Sequence, residues 1–268
     1  MPSKNVELLA RGLQAQRRST LVWASSIVLL AVSVVAVWPS LERSGSLGGL
    51  TAGMSPQLVA AFGLEQFNTA NGYLRGNLYA VMLPLLLGSM AITAATALTS
   101  GDEEAGRFEL LLALPLRRSQ VYLMRLVTVV VSLAVTSAAV AVTVAGAVAV
   151  LDMDVALDGV VAVAVATWLL AVLHAALAYA AAAAGCRPPV TLGVAAGVLV
   201  VGYMLQAIAP LSESLKPLSA LSPWDWALGD DPLRNGFAGG GLLLLVAVSG
   251  ILVAAGTVLI DRRDIRTV

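Results

Sequence analysis

The sequence predicts an all-α polytopic membrane protein with six transmembrane helices. An N-terminal interfacial amphipathic helix precedes them, and a short cytoplasmic helix lies between spans two and three. Three observations lead there. First, 59% of the 268 residues are apolar and only 12% charged, with mean hydropathy +0.88. A soluble domain carries about 25% charged residues, so this chain cannot cover a water-facing surface. Second, six apolar runs are each long enough to cross about 30 Å of hydrocarbon as a helix, and none holds Asp, Glu, Lys or Arg in its core. Third, Arg and Lys lie unevenly across the connections between those runs.

The spans run about 21–38, 78–99, 126–151, 159–184, 190–210 and 237–260. They do not alternate apolar with polar as barrel strands would, and lipid requires the backbone amides to be satisfied within each helix. With the N-terminus inside, twelve of the sixteen basic residues fall on the inner side; Arg43, Arg75, Lys216 and Arg234 alone fall outside. The bias points to both termini in the cytoplasm. Fourteen of the sixteen are Arg, which with the abundance of Ala and Val reads as a GC-rich bacterial gene and hence the bacterial cytoplasmic membrane.

Residues 4–20 place Val6, Leu9, Ala10 and Leu13 on one helical face, with Lys4, Arg11 and Arg18 opposite. That pattern fits a helix lying at the headgroups of membrane lipid. The outer stretch from Pro39 to Asn77 is expected to hold one or two short surface helices around Pro56–Phe67. In the last outer segment, Trp224 and Trp226 read as interface anchors.

The inner segment 100–119, SGDEEAGRFELLLALPLRRS, is the most informative. Ser100 with Glu103 has the spacing of a capping box. Asp102, Glu103 and Glu104 suit the positive end of a new helix. Glu103 and Arg107 are spaced to pair along it, and Pro115 ends it. The expected helix covers 102–114. Its apolar residues, Phe108 and Leu110 to Leu112, need a cover; either headgroups or another protein could provide it.

Other chemistry is missing. The two Lys residues, Lys4 and Lys216, do not follow a Gly, so no P-loop is available to hold ATP. One His and one Cys supply no zinc set, so neither a metal site nor a catalytic residue is expected. His174 falls in span four without an acidic neighbour on its helix and reads as a packed neutral side chain. Gly193 with Gly197, and Gly250 with Ala254, have the spacing of close helix contacts. Ser89, Thr93 and Thr96 either bond back to span two or line a substrate path.

Residues 99–118 resemble the stretch between spans two and three of ABC-2-type exporter permeases. The matching positions are Glu103 or Glu104, Gly106, Glu109, Leu111-Leu112, Pro115 and Arg118. Asn71-Gly72-Tyr73-Leu74 through Pro84, and Ser222-Pro223 with Pro232-Leu233 and Gly236, are similar as well. The likeness extends to actinobacterial antibiotic-exporter permeases and covers nearly the whole chain, as one ABC-2-type transmembrane domain spanning 1–268.

The resemblance implies a transmembrane permease subunit that moves an apolar or amphipathic substrate, a drug, antibiotic or lipid, out of the cell. Two copies of an ABC ATP-binding subunit would hydrolyse ATP with Mg; this chain would hold no cofactor and not itself be an enzyme. A second permease subunit, identical or paralogous, would complete the pathway, with no nucleic-acid partner. Helix 102–114 becomes the coupling helix, with Asp102, Glu103, Glu104, Gly106, Arg107, Phe108, Glu109, Pro115 and Arg118 as ATPase-coupling residues. The alternative is an ATPase-coupled signalling or mechanotransmission subunit that moves no substrate.

Overall fold

The computed structural model of the chain describes residues 4–44, 69–107, 117–208, 216–237 and 239–263. The described residues are helices joined by turns, without a strand. Six helices are long and apolar enough to cross a membrane: α1 (Lys4–Ser44), α2 (Ala70–Glu104), α3 (Arg118–Val150), α4 (Leu157–Ala183), α5 (Pro188–Ile208) and α9 (Gly239–Arg262). Three short helices, α6 (Lys216–Ser219), α7 (Pro223–Leu228) and α8 (Pro232–Asn235), lie between α5 and α9. Each expected span falls within or within two or three residues of one of the six. The chain is a multi-pass membrane protein.

Helix α4 is the hub, packed by α2, α3, α5 and α9. Its sequence suits that place. Ala162, Ala166, Ala171, Ala175, Ala178 and Ala182 are all buried, and their small side chains let neighbouring backbones come close. Helices α1, α5 and α9 are the periphery, and among the described residues most of their apolar surface is uncovered.

The amphipathic segment at the N-terminus is helical, but it is not a separate element. Helix α1 runs unbroken for 41 residues, about 60 Å at 1.5 Å per residue, roughly twice the hydrocarbon thickness. It lies along α3, running in the same direction: the side chains of Asn5 and Gln120 hydrogen-bond, and a Cβ at Gly12 would come within 2.5 Å of Thr128 Oγ1. The covered face also differs from the expected one. Leu8, Leu9, Gly12, Leu13, Gln16 and Thr20 are half-buried, whereas Val6 and Ala10 are exposed. Packing against α3 selects the i, i+4 ridge through Leu8 and Leu9 over the lipid-facing ridge. Arg11 and Arg18 are exposed, and Arg11 pairs with Glu7 at 2.6 Å. Only the backbone of Lys4 is described.

Helix α2 starts earlier than the apolar run. Thr69 caps it, accepting from the Gly72 amide at 3.1 Å, so residues 70–77 belong to the span. The expected surface helix at 56–67 lies outside the described residues. Two π-helical turns interrupt α2, at Arg75–Tyr79 and Ala97–Gly101. Such turns insert one extra residue per turn and are common at functional sites.

At the end away from the termini, α6, α7 and α8 fold over the bundle. Ser222 caps α7 by accepting from the Trp224 amide at 3.2 Å, and its hydroxyl donates to the Gly202 carbonyl at 2.7 Å. Pro223 takes the first helical position, where no amide is needed. Trp224 is fully buried against Tyr203, with ring centroids 5.3 Å apart. It is therefore a core residue and not the interface anchor its position in the sequence suggests. Trp226 is half-buried and donates from its ring nitrogen to the Ala220 carbonyl at 2.7 Å. Two glycines admit this cover. A Cβ at Gly159 would stand 2.0 Å from the Leu233 carbonyl oxygen, and one at Gly241 would stand 2.0 Å from that of Trp226.

Candidate functional site

The candidate site is built where α2 ends, at the face that carries both termini. Asp102 and Glu103 occupy the last turn of α2 and are buried, at 8% and 9% exposure. They lie at the C-terminal end of a helix, where the aligned peptide dipoles disfavour negative charge. Burial of a carboxylate adds a desolvation cost that only a paired partner offsets. Arginines from three other segments supply the pairs. Arg125 on α3 approaches Asp102 Oδ2 at 2.8 Å, and Arg107 approaches Asp102 Oδ1 at 2.6 Å. Arg263, just past α9, pairs with Glu103.

The same arginines fasten backbone. Arg125 Nη1 donates to the Leu98 carbonyl at 2.6 Å, inside the second π turn of α2. Arg263 Nη1 donates to the Ala182 carbonyl at 2.9 Å, at the end of α4. Arg118 Nη1 donates to the Arg263 carbonyl at 2.9 Å, and Asp261 accepts from the Ser119 amide at 3.2 Å. One connected set of charge-assisted bonds thus ties the ends of α2, α3, α4 and α9 together. The planar, forked guanidinium suits this role: Arg125 and Arg263 each reach a carboxylate and a carbonyl at once.

Several sequence expectations change here. Ser100 does not begin a helix. It sits in the π turn and donates to the Thr96 carbonyl at 3.5 Å, while α2 continues past it to Glu104. The expected helix 102–114 is broken within its described part: Gly106 has φ +69, and its amide closes a turn onto the Glu103 carbonyl at 3.1 Å. A left-handed residue is a common helix stop, and glycine takes it without steric cost. The acidic run therefore closes span two. The break also takes Glu103 and Arg107 off a common helical face, so Arg107 pairs with Asp102 while Glu103 pairs with Arg263. Glu104 and Arg107 are exposed, and Arg118 opens α3. Phe108, Glu109 and Pro115 lie outside the described residues.

Sequence reasoning missed Arg125, Asp261 and Arg263. The two arginines counted only toward topology and Asp261 not at all, and their pairing across 23 to 160 residues leaves no local trace.

The three residues of span two read as a candidate substrate path separate. Ser89 and Thr93 share the outward face; Thr93 is exposed and donates back to the Ser89 carbonyl at 2.7 Å. Thr96 is buried, and its hydroxyl has no partner among the described residues. His174 is fully buried with Nδ1 2.8 Å from the Leu170 carbonyl. A carbonyl only accepts, so Nδ1 carries the proton and the ring bonds to its own helix. Gly193, Gly197 and Gly250 face open space, so the close contacts their spacing suggests are not made among the described residues.

The model of a protein family described as the C-terminal domain of the multidrug efflux system permease Rv1217c matches residues 8–259. The curated proteins contain no match to this chain.

Proposed function

This chain belongs to the family of that multidrug efflux permease domain, in keeping with its resemblance to ABC-2-type exporter permeases, and on that premise we propose that it is the membrane subunit of an ATP-driven exporter. Family membership makes it a transporter subunit and not an enzyme. In our reading, an ABC ATP-binding subunit, present in two copies, hydrolyses ATP with Mg. A second permease subunit, identical or paralogous, pairs with this chain. The substrate is apolar or amphipathic, of the drug, antibiotic or lipid kind. The protein sits in the bacterial cytoplasmic membrane with both termini inside, and residues 1–268 act as one transmembrane domain.

The observation that carries this reading is the charge cluster at the end of α2. A loop pushed by an ATPase moves a membrane bundle only if it is rigidly joined to several spans. Asp102, Glu103, Arg107, Arg125 and Arg263 provide that joint. The stretch after Gly106, with Phe108, Glu109 and Pro115, is then the part seated on the ATPase, and Gly106 is the hinge between them. Movement passes to α2 and α3 as a rigid-body displacement of packed helices. Ser89 and Thr93 face outward from α2, where a pathway between two subunits would run.

The test is co-reconstitution with the ATPase in vesicles. Gly106→Val and Glu109→Arg are expected to leave the protein inserted and the ATPase active while transport falls to background. Normal transport by both variants would refute the coupling role. ATPase activity that never responds to any candidate substrate would favour the signalling alternative. Topology is checked separately. A cysteine at Glu104, in a Cys186→Ser background, is expected to react with an impermeant maleimide only after the inner face is opened.

A further inference from the structure

At the end away from the termini, a small polar cleft opens among α2, α4, α5 and the cover formed by α7 and α8. Its polar lining is Arg75, Tyr79, Gln206 and Asp231, and Val163 and Leu233 are among its apolar walls. Arg75 Nη1 pairs with Asp231 Oδ2 at 3.0 Å. Asp231 is held in place by its own backbone, in the left-handed region at φ +50 just before Pro232 opens α8.

Two features set this cleft apart from ordinary packing. Tyr79 is 1% exposed, and its hydroxyl has no hydrogen-bond partner among the described residues. The Gln206 side-chain oxygen is likewise buried without one. A buried polar group left unpaired costs about 1–3 kcal/mol, and here two such groups line one cleft. Tyr79 also closes the first π turn of α2, the local distortion that sets its position on the helix.

We propose that this cleft is a binding site for the neutral hydroxyl or amide group of a small amphiphilic ligand. A hydroxyl both accepts and donates, so it can pair with the Tyr79 hydroxyl or donate to the Gln206 side-chain oxygen. The walls take its short hydrocarbon part. The Arg75–Asp231 pair is internally neutral, so the cleft offers no uncompensated charge to an ammonium or a carboxylate. The site lies within one chain and is independent of the coupling reading.

The test uses the purified full-length chain in detergent, with Cys186→Ser and Ala80→Cys. Ala80 is half-buried and lines the cleft. Maleimide labelling is timed with butanamide, butane-1,2-diol, butylamine or butyrate present. Butanamide or the diol is expected to slow labelling as 1 + [L]/Kd, about threefold at twice Kd, with the two charged probes inert. Protection is expected to vanish in Tyr79→Phe, which keeps the ring, and in Gln206→Leu. Three results would overturn the proposal: no slowing by any probe, equal slowing by charged and neutral probes, or protection that survives both substitutions. Labelling reads the cleft alone, so its failure leaves the exporter reading to stand or fall on transport.

Discussion

The decisive residues are charged ones placed where charge is expensive. Asp102 is about nine-tenths buried between Arg125 and Arg107. Removing one partner of a buried pair leaves the other uncompensated, at a cost of about 3–5 kcal/mol. Asp102→Ala is therefore expected to lower the thermal unfolding midpoint in detergent sharply. Glu104→Ala, two residues on but exposed, is expected to change it little. Exchanging the charges of Asp102 and Arg125 is expected to recover part of the loss, because the pair re-forms in reverse. A second residue-scale effect lies in α7. Burial, with Asp230 close by, holds the Asp225 carboxyl above the usual carboxylate range. A raised folded pKa favours the protonated fold, so this contribution is present at low pH and is lost as pH rises through the folded value. Asp225→Asn is expected to flatten that dependence, read by amide exchange over residues 223–228 corrected for the intrinsic rate.

At the scale of elements, two close contacts decide how the far-end cover sits. Gly159 meets the Leu233 carbonyl and Gly241 the Trp226 carbonyl, both backbone atoms that cannot rotate away. Gly159→Ala forces α8 off α4, and overpacking of this kind costs about 1–3 kcal/mol. Gly193→Ala, facing open space on α5, is expected to be neutral or to gain up to about 1 kcal/mol from the better helix former. A comparison of unfolding midpoints checks the contrast, and equal effects would show that the cover yields. Helix α1 teaches the converse point. Its basic N-terminal half was legible as helical and amphipathic, but whether the headgroup layer or another helix would cover it, and along which ridge, was not. Gly12 against Thr128 resolves the choice in favour of α3.

For the whole molecule, the least buried helices are α1, α5 and α9, and the most buried is α4. One central helix within a rim of three incompletely covered helices is what a membrane subunit needs. Lipid or a second subunit covers the remainder without the penalty water would impose. The cover at one end packs on α4, α5 and α9, and the charge cluster at the other ties α2, α3, α4 and α9. Helix α2, held to the cover by Arg75–Asp231, bears a π turn near each end. Relieving the second π turn by deleting one residue from Ala97–Gly101 is expected to rotate Asp102 and Glu103 by about 100°. That withdraws them from Arg125 and Arg263 and abolishes transport, while ATP hydrolysis by the partner persists.

The number of spans and the apolar core of each followed from the sequence alone, whereas α1, α2 and α3 begin 8 to 17 residues before the apolar runs do. Hydrocarbon thickness and the demand for internal backbone pairing leave a run of twenty apolar residues only one solution. The acidic run after span two was also visible, but its placement was not. Whether Asp102 and Glu103 begin one helix or end another depends on Gly106 turning left-handed and on arginines 23 and 160 residues away. Those partners, the burial of Trp224 and the Tyr79–Gln206 cleft arise only when distant segments meet. Local periodicity carries no information about such meetings, because the energy that fixes them is the desolvation and pairing of groups far apart in the chain.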